Sequence, residues 1–331
     1  MSKPNRNTSL PSRRTFVKAL GVAAAGLAFP ARALMAGFPG DSKLHPVRHS
    51  TFVMGQIANV TIFHADAAHA RESVTAVFNE LRRLEKVMSV FDPESELSAV
   101  NRAAGRAAIP VSADLRDVIA RSTLIASGTR DALDITVNPL LGLWGFRDNA
   151  RSTPPTDAEV AGALSLVGIS GVRIEGDSVG LTKAGASIDL GGVAVGFALD
   201  RIAAMLRSRG IASALLELSG DFYAIGAPPE SRHGWEIGIE DPRHAGGIWK
   251  RVFIRDQALS TSGNYASTVV FNAKSYGHIF DPSRGFPADR LLSATVIAPT
   301  AFQADGYSTA LFVSGDSSML PAGARGLLLR S

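Results

Sequence analysis

The sequence predicts an α+β fold: one domain of two packed lobes, with mixed or antiparallel sheets and flanking helices. Three observations predict it. Residues 71–88 place Val74, Val77, Phe78, Leu81, Leu84, Val87 and Met88 at three- and four-residue steps, the stripe of an amphipathic helix. Strand-like runs and helices then mix without strict βαβ alternation, which argues against a doubly wound sheet. No linker divides the chain beyond its N-terminal region, and 331 residues suffice for one large domain or two lobes sharing a core.

In order, residues 52–63 read as two short strands interrupted at Gly55, ahead of the 71–88 helix. Ser112 precedes an amphipathic segment through Val118, Ile119 and Ile125. Thr156 and Glu159 form a capping-box pattern before a short helix. Residues 172–174 and 179–181 look like a small hairpin. Residues 186–190 are strand-like, Gly191-Gly192 turns, 195–207 has helical periodicity and 212–218 reads as a buried strand. Further strands are predicted at 235–239, 251–254, 268–271 and 293–297.

The formal charge of +4 comes from the N-terminus. Residues 1–33 hold six basic side chains and no acid, leaving 28 basic against 30 acidic residues elsewhere. That balance gives no electrostatic footprint for nucleic acid. Ser12-Arg13-Arg14-Thr15-Phe16-Val17-Lys18 supplies a twin-arginine pair, an apolar run at 19–29 follows, and Ala31-Arg32-Ala33 is a small-x-small cleavage site. The run is too short to span a bilayer. A basic amphipathic start that stays attached is the alternative. The expected organisation is a signal peptide at 1–33, a lead segment at 34–46 and one domain at 47–331, exported folded to the periplasm. The absence of cysteine excludes disulfides, thiolate metal sites, a cysteine nucleophile and a lipoprotein anchor, so a soluble mature protein is expected.

Chemistry concentrates at residues 276–309. His278 shares a stretch with Asp281 and Arg284, where it could act as a general base or as a satisfied structural histidine. Asp305 and Thr309 are four residues apart, so a helix would put both oxygens on one face. Two hard donors suit Mg²⁺, whereas an Asp305 that merely N-caps a helix is the structural alternative. Upstream, Asp189-Leu190-Gly191-Gly192 with Gly196 could bring backbone N–H groups to a phosphate or be an ordinary tight turn; the spacing is not the dinucleotide fingerprint. Residues 131–140 lead to Leu143-Trp144-Gly145-Phe146, whose aromatics could stack on a ring or pack in the core. Residues 88–101, 216–221 and 259–265 each read alone as ordinary turns. No His-Glu-x-x-His zinc site occurs.

Taken in order, Met54-Gly55, the 88–101 block, Asp134-Ile135-Thr136-Val137-Asn138-Pro139-Leu140 with Leu143–Phe146, Asp189–Gly192 with Gly196, Thr261-Ser262-Gly263-Asn264-Tyr265, His278-Ile279-Phe280-Asp281-Pro282 with Gly285-Phe286-Pro287, and Asp305-Gly306-Tyr307-Ser308-Thr309 resemble the ApbE family of FAD:protein FMN transferases. The match spans nearly the whole mature chain. The resemblance implies Mg²⁺-dependent transfer of FMN from FAD, the substrate, to a threonine or serine hydroxyl of an acceptor redox protein, releasing AMP. It implies that Met54, Phe91, Ala132, Leu133, Asp134, Asp189, Val195 and Ile279 line the FAD site. Asp305 and Thr309 would hold the metal, with Ser308 near it and a backbone carbonyl around Gly192 completing the shell. His278 would be the base. Gln56, Phe91, Val195 and Ser219 depart from the family pattern, which bears on FAD affinity. A flavin carrier, or a hydrolase releasing FMN and AMP, remains open from sequence.

Overall fold

The computed structural model describes residues 44–147, 151–244, 246–265 and 267–330. The twin-arginine stretch, the cleavage site and most of the lead segment lie outside them.

The chain runs β1 (His45–Val53), β2 (Gln56–His64), α1 (Ala67–Met88), α2 (Glu96–Arg102), β3 (Ile109–Pro110), α3 (Ala113–Gly128), α4 (Asn138–Leu143), α5 (Asp157–Leu164), β4 (Val172–Glu175) and β5 (Ser178–Leu181). It continues through α6 (Ala194–Ser208), β6 (Ala214–Leu218), β7 (Asp221–Ile225), β8 (Trp235–Glu240), β9 (Ile248–Ile254), β10 (Ala258–Ser262), β11 (Thr268–Phe271) and β12 (Lys274–Gly277). The last elements are β13 (Phe280–Asp281), β14 (Phe286–Pro287), β15 (Ser293–Ala298), α7 (Ala301–Ser314) and β16 (Arg325–Leu329).

A seven-stranded antiparallel sheet, ordered β1-β2-β6-β7-β10-β15-β16, is the backbone of the larger lobe. Side chains alternate between its faces. Ile62, Leu216, Tyr223, Ala258 and Val296 join the main core with α1, α6 and α7. Their neighbours Phe63, Phe222, Leu259 and Ile297 face the opposite way and are covered by the β8–β9 hairpin. The same alternation puts Asp221, Ser260 and Ser262 on the helix face. The smaller lobe is a satellite core of Leu140, Leu141, Trp144, Val160, Phe271 and Phe280, formed by α4, α5 and the short β11–β12 and β13–β14 hairpins.

Local signals work where they are complete. Asp66 caps α1, Ser112 caps α3 and the Thr156–Glu159 capping box is present on α5. Three readings need correction. Residues 186–190 join no ladder, because side chains take the strand's place: Asn101 donates to the Ile188 carbonyl (2.9 Å) and accepts its N–H (2.7 Å). The 259–265 turn is largely strand, since β10 pairs with β7 and β15. Asp305 does not cap α7, which begins four residues earlier at Ala301 with Thr300 as cap.

Candidate active site

The floor of the site is built on α7. Besides Thr300, its N-terminus is held by Asp200 of α6, whose carboxylate accepts the N–H groups of Ala301 (2.7 Å) and Phe302 (3.0 Å). This fixes the helix one turn ahead of Asp305. Asp305 is buried, and its Oδ2 accepts the N–H of Gly196 at 2.9 Å, in the first turn of α6. A Cβ at Gly196 would lie 2.8 Å from Asp305 Cβ, so only glycine allows this approach. One turn on, Thr309 shares the Asp305 face. A Cβ at Gly192 would stand 3.1 Å from Thr309 Oγ1 and 3.5 Å from Leu133 Cδ1, which brings the 191–192 turn, Leu133 and Thr309 together. Ser308 is wholly buried. Its hydroxyl donates to the Asp305 carbonyl (2.9 Å) and lies 3.1 Å from Ser260 Oγ and 2.7 Å from Ser262 Oγ.

A second carboxylate shares this floor. Burial, then the charge of Asp221, raises the Asp305 pKa well above the usual range, against the pull of the Gly196 amide. Burial pushes Asp221 up to about 7, although the Ser260 hydroxyl and the Thr261 amide hold it down. Among the described residues neither has an ion-pair partner among the basic side chains. Nor does any group of three or more His, Cys, Asp or Glu come together there. The donors are thus oxygen only: the carboxylate of Asp305, the hydroxyl of Thr309 and the main chain near Gly192. Such a set, with no basic side chain paired to either carboxyl, fits a hard divalent cation that keeps most of its waters.

The rim lies at the other end of the 189–192 turn. Asp189 is ion-paired with Arg147, and its Oδ1 accepts the Gly191 N–H at 2.7 Å. Arg147 also donates to Asn138 Oδ1 (3.0 Å), and its guanidinium lies 4.7 Å from the Phe91 ring centroid. Phe91 is 73% exposed, so its ring face away from Arg147 is open to solvent. His278 is half-buried, 6.5 Å from the Phe146 ring, with Nδ1 3.3 Å from the Ser267 carbonyl. Burial lowers its pKa below the ordinary imidazole value; the Ser267 carbonyl and Asp189 oppose this, and Arg147 adds to it. A carbonyl can only accept, so Nδ1 carries the proton and Nε2 keeps its lone pair.

The other expected residues fall into two kinds. Met54, Ala132, Val195 and Ile279 are partly buried apolar side chains at the edge of the main core. Met54 sits in the β1–β2 turn with φ 52°, followed by Gly55 at φ 75°, the two left-handed residues of a tight hairpin. Ile279 is tied through its N–H to Asn264 Oδ1 (3.1 Å), which sets the loop beside His278. Asp134 is buried, and its carboxylate accepts the Thr136 N–H and hydroxyl and the Ile169 N–H. Trp144 is core, with Nε1 donating to the Gly285 carbonyl at 3.2 Å.

No sequence pattern marks Arg147 or Asp200, and Asp221 reads from sequence only as part of a turn. The nearest signal to Arg147 is the Leu143–Phe146 block it directly follows; Asp200 lies on a helix with no local mark. Gly176-Asp177-Ser178-Val179-Gly180 spells Gly-x-Ser-x-Gly, but it forms the turn and start of β5 in the β4–β5 hairpin. A nucleophile elbow needs strand–turn–helix, so this string carries no hydrolase site.

Comparison with known proteins bears on the family and the fold. The model of the ApbE family matches residues 54–324. The FAD:protein FMN transferase of Salmonella typhimurium is 30% identical over 275 residues, covering 79% of this chain and 77% of its own. The ApbE protein of Thermotoga maritima superposes with a TM-score of 0.79 at 30% identity, over 86% of this chain and 94% of its own. The flavin transferase ApbE of Vibrio cholerae gives 0.77 at 29% identity, over 86% and 93%. The chain belongs to the ApbE family.

Proposed function

We propose that this protein is a Mg²⁺-dependent FAD:protein FMN transferase acting on a threonine or serine hydroxyl of a redox protein. The observation that carries the reading is that one four-residue turn, residues 189–192, has Asp189 within charge range of His278 at one end and Gly192 against Thr309 at the other. FAD would lie along that turn, with the exposed Phe91 face and the apolar edge of Met54, Ala132, Leu133, Val195 and Ile279 toward its rings. Asp305, Thr309 and the main chain near Gly192 would hold Mg²⁺, which supplies charge neutralisation on the pyrophosphate oxygens. His278 Nε2 takes the proton of the acceptor hydroxyl as that oxygen attacks the FMN-side phosphorus. The P–O bond to the AMP half breaks, AMP departs with the bridging oxygen, and the FMN phosphorus ends in a phosphodiester. Arg147 and Asp189 hold the rim, so catalysis is mostly positioning and electrostatics.

The test incubates the mature protein with FAD, Mg²⁺ and a flavin-accepting domain, then weighs the acceptor. A gain of one FMN, absent with Asp305→Ala, supports the reading. Tight FAD binding without transfer to several acceptors would replace it with a carrier, and free FMN with AMP would replace it with a hydrolase. We also infer twin-arginine export to the periplasm, on Arg13-Arg14 and the Ala31-Arg32-Ala33 site. No described helix is long and apolar enough to cross a membrane. An Arg13→Lys, Arg14→Lys variant should remain in the cytoplasm; normal export of that variant would overturn the assignment.

A further inference from the structure

The floor holds more hydroxyls than two metal-facing groups require, and counting their protons gives the network a direction. Each hydroxyl has one proton to donate. Ser308 lies 2.9 Å from the Asp305 carbonyl, which can only accept, so Ser308 spends its proton there. Ser262, 2.7 Å from Ser308, must then donate to it. Thr309, 3.2 Å from Ser262, must in turn donate to Ser262. Ser260, 3.1 Å from Ser308, has the Asp221 carboxylate as its acceptor and leaves this order intact. The Thr309 proton is therefore drawn toward the sheet, and the oxygen's lone pairs are left for a cation. A threonine hydroxyl without this partner is free to rotate and aim its proton at the metal.

We propose that Ser262, fixed in turn by Ser308, is a positioning residue that holds Thr309 as an acceptor for the divalent cation. This rests on the reading of Asp305 and Thr309 as Mg²⁺ ligands. Neither serine touches the metal in this scheme; both act through Thr309, as outer partners orient the ligands of other metal sites.

The experiment measures Mn²⁺ binding to the purified protein by electron paramagnetic resonance, and the Mg²⁺ dependence of acceptor flavinylation. It compares wild type, Asp305→Ala, Ser262→Ala, Ser262→Thr and Ser308→Ala. Ser262→Ala is expected to weaken metal binding by roughly tenfold. It should raise the KM for Mg²⁺ by a similar factor and leave kcat at saturating metal close to wild type, with Ser262→Thr recovering most of the loss. Ser308→Ala should act in the same direction, and it carries the test if Ser262→Ala fails to melt like wild type. Metal binding lost in Asp305→Ala but unchanged in both serine variants would overturn the positioning role alone. Unchanged binding in Asp305→Ala would overturn the ligand assignment and the positioning role together.

Discussion

Rim and floor treat buried charge in opposite ways. At the rim, Asp189 is met by Arg147, the Arg147 guanidinium also covers Phe91, and the pKa of Asp189's neighbour His278 is lowered chiefly by burial. At the floor, burial pushes Asp305 and Asp221 up, the charges of Asp221 and Asp200 add to this for Asp305 and that of Glu217 for Asp221, and only amides and hydroxyls oppose the shift. An isolated buried carboxylate is costly unless it is paired, coordinates a metal or protonates. The rim is thus complete from protein groups alone, whereas the floor has its charge balance left to a cation or to protons. Under the proposed function the contrast divides the labour: the rim would orient and take a proton, and the floor would manage phosphate charge.

That division is broken most severely at the floor. Asp305→Ala should reduce Mg²⁺-dependent transfer by about 10³-fold, in the range of losing a major electrostatic contact to the transition state. In the metal-free protein, relief of a buried, raised-pKa carboxyl is offset by the Gly196 N–H left without its acceptor, so the melting temperature should change little; transfer retained at saturating Mg²⁺ would erase the contrast. His278→Ala attacks the rim and should slow transfer by about 10²-fold while FAD affinity holds. Equal losses in rate and affinity would make His278 a binding residue. Because burial lowers its pKa, His278 is neutral at pH 7, and the acid limb of kcat/KM should fall below the ordinary imidazole value of 6.5. A limb above 6.5 would contradict the burial argument.

The two regions also differ in how far the sequence revealed them. The spacing of Asp305 and Thr309 places them on one helical face, but spacing alone leaves Asp305 an N-cap as readily as a ligand, and the role in a metal site comes only from the family resemblance. The floor's depth was not legible. Asp200 fixes where α7 begins, 101 residues before Ala301, and no local pattern links the two. Ser260 and Ser262 looked like turn residues because hydroxyls are common in turns; they lie in a strand because their hydroxyls meet a buried polar layer. The rim motifs were visible, but the Arg147–Asp189 pair joins segments 42 residues apart, and charge pairing at that separation leaves no periodic signal. The 186–190 misreading has the same origin, because Asn101 supplies bonds that a neighbouring strand would otherwise give.

Smaller effects sharpen the comparison. Arg147→Ala should weaken FAD binding by about tenfold, combining a lost cation–π contact with a lost, partly buried ion pair. It should also move the acid limb of kcat/KM upward in pH, since the Arg147 charge helps to keep His278 neutral. A weaker affinity with an unmoved limb would separate the ion pair from the base.

The mildest change, Asp221→Asn, asks whether the floor's charge is balanced by protons when metal is absent. Asp221 titrates at about 7 in the fold against 3.8 ordinarily, so the folded protein binds the extra proton between those values. Stability from that proton is fully present below about pH 4 and is lost as pH rises toward 7. Measured without metal, wild type should therefore lose stability relative to Asp221→Asn across this window, by ~3 kcal/mol in order of magnitude. Saturating Mg²⁺ should shrink the difference, because a cation stabilises the ionised form that burial penalises. Parallel stability curves for the two proteins from pH 4 to 7 would mean that the floor tolerates its charge unaided, and that rim and floor differ less than their surroundings indicate.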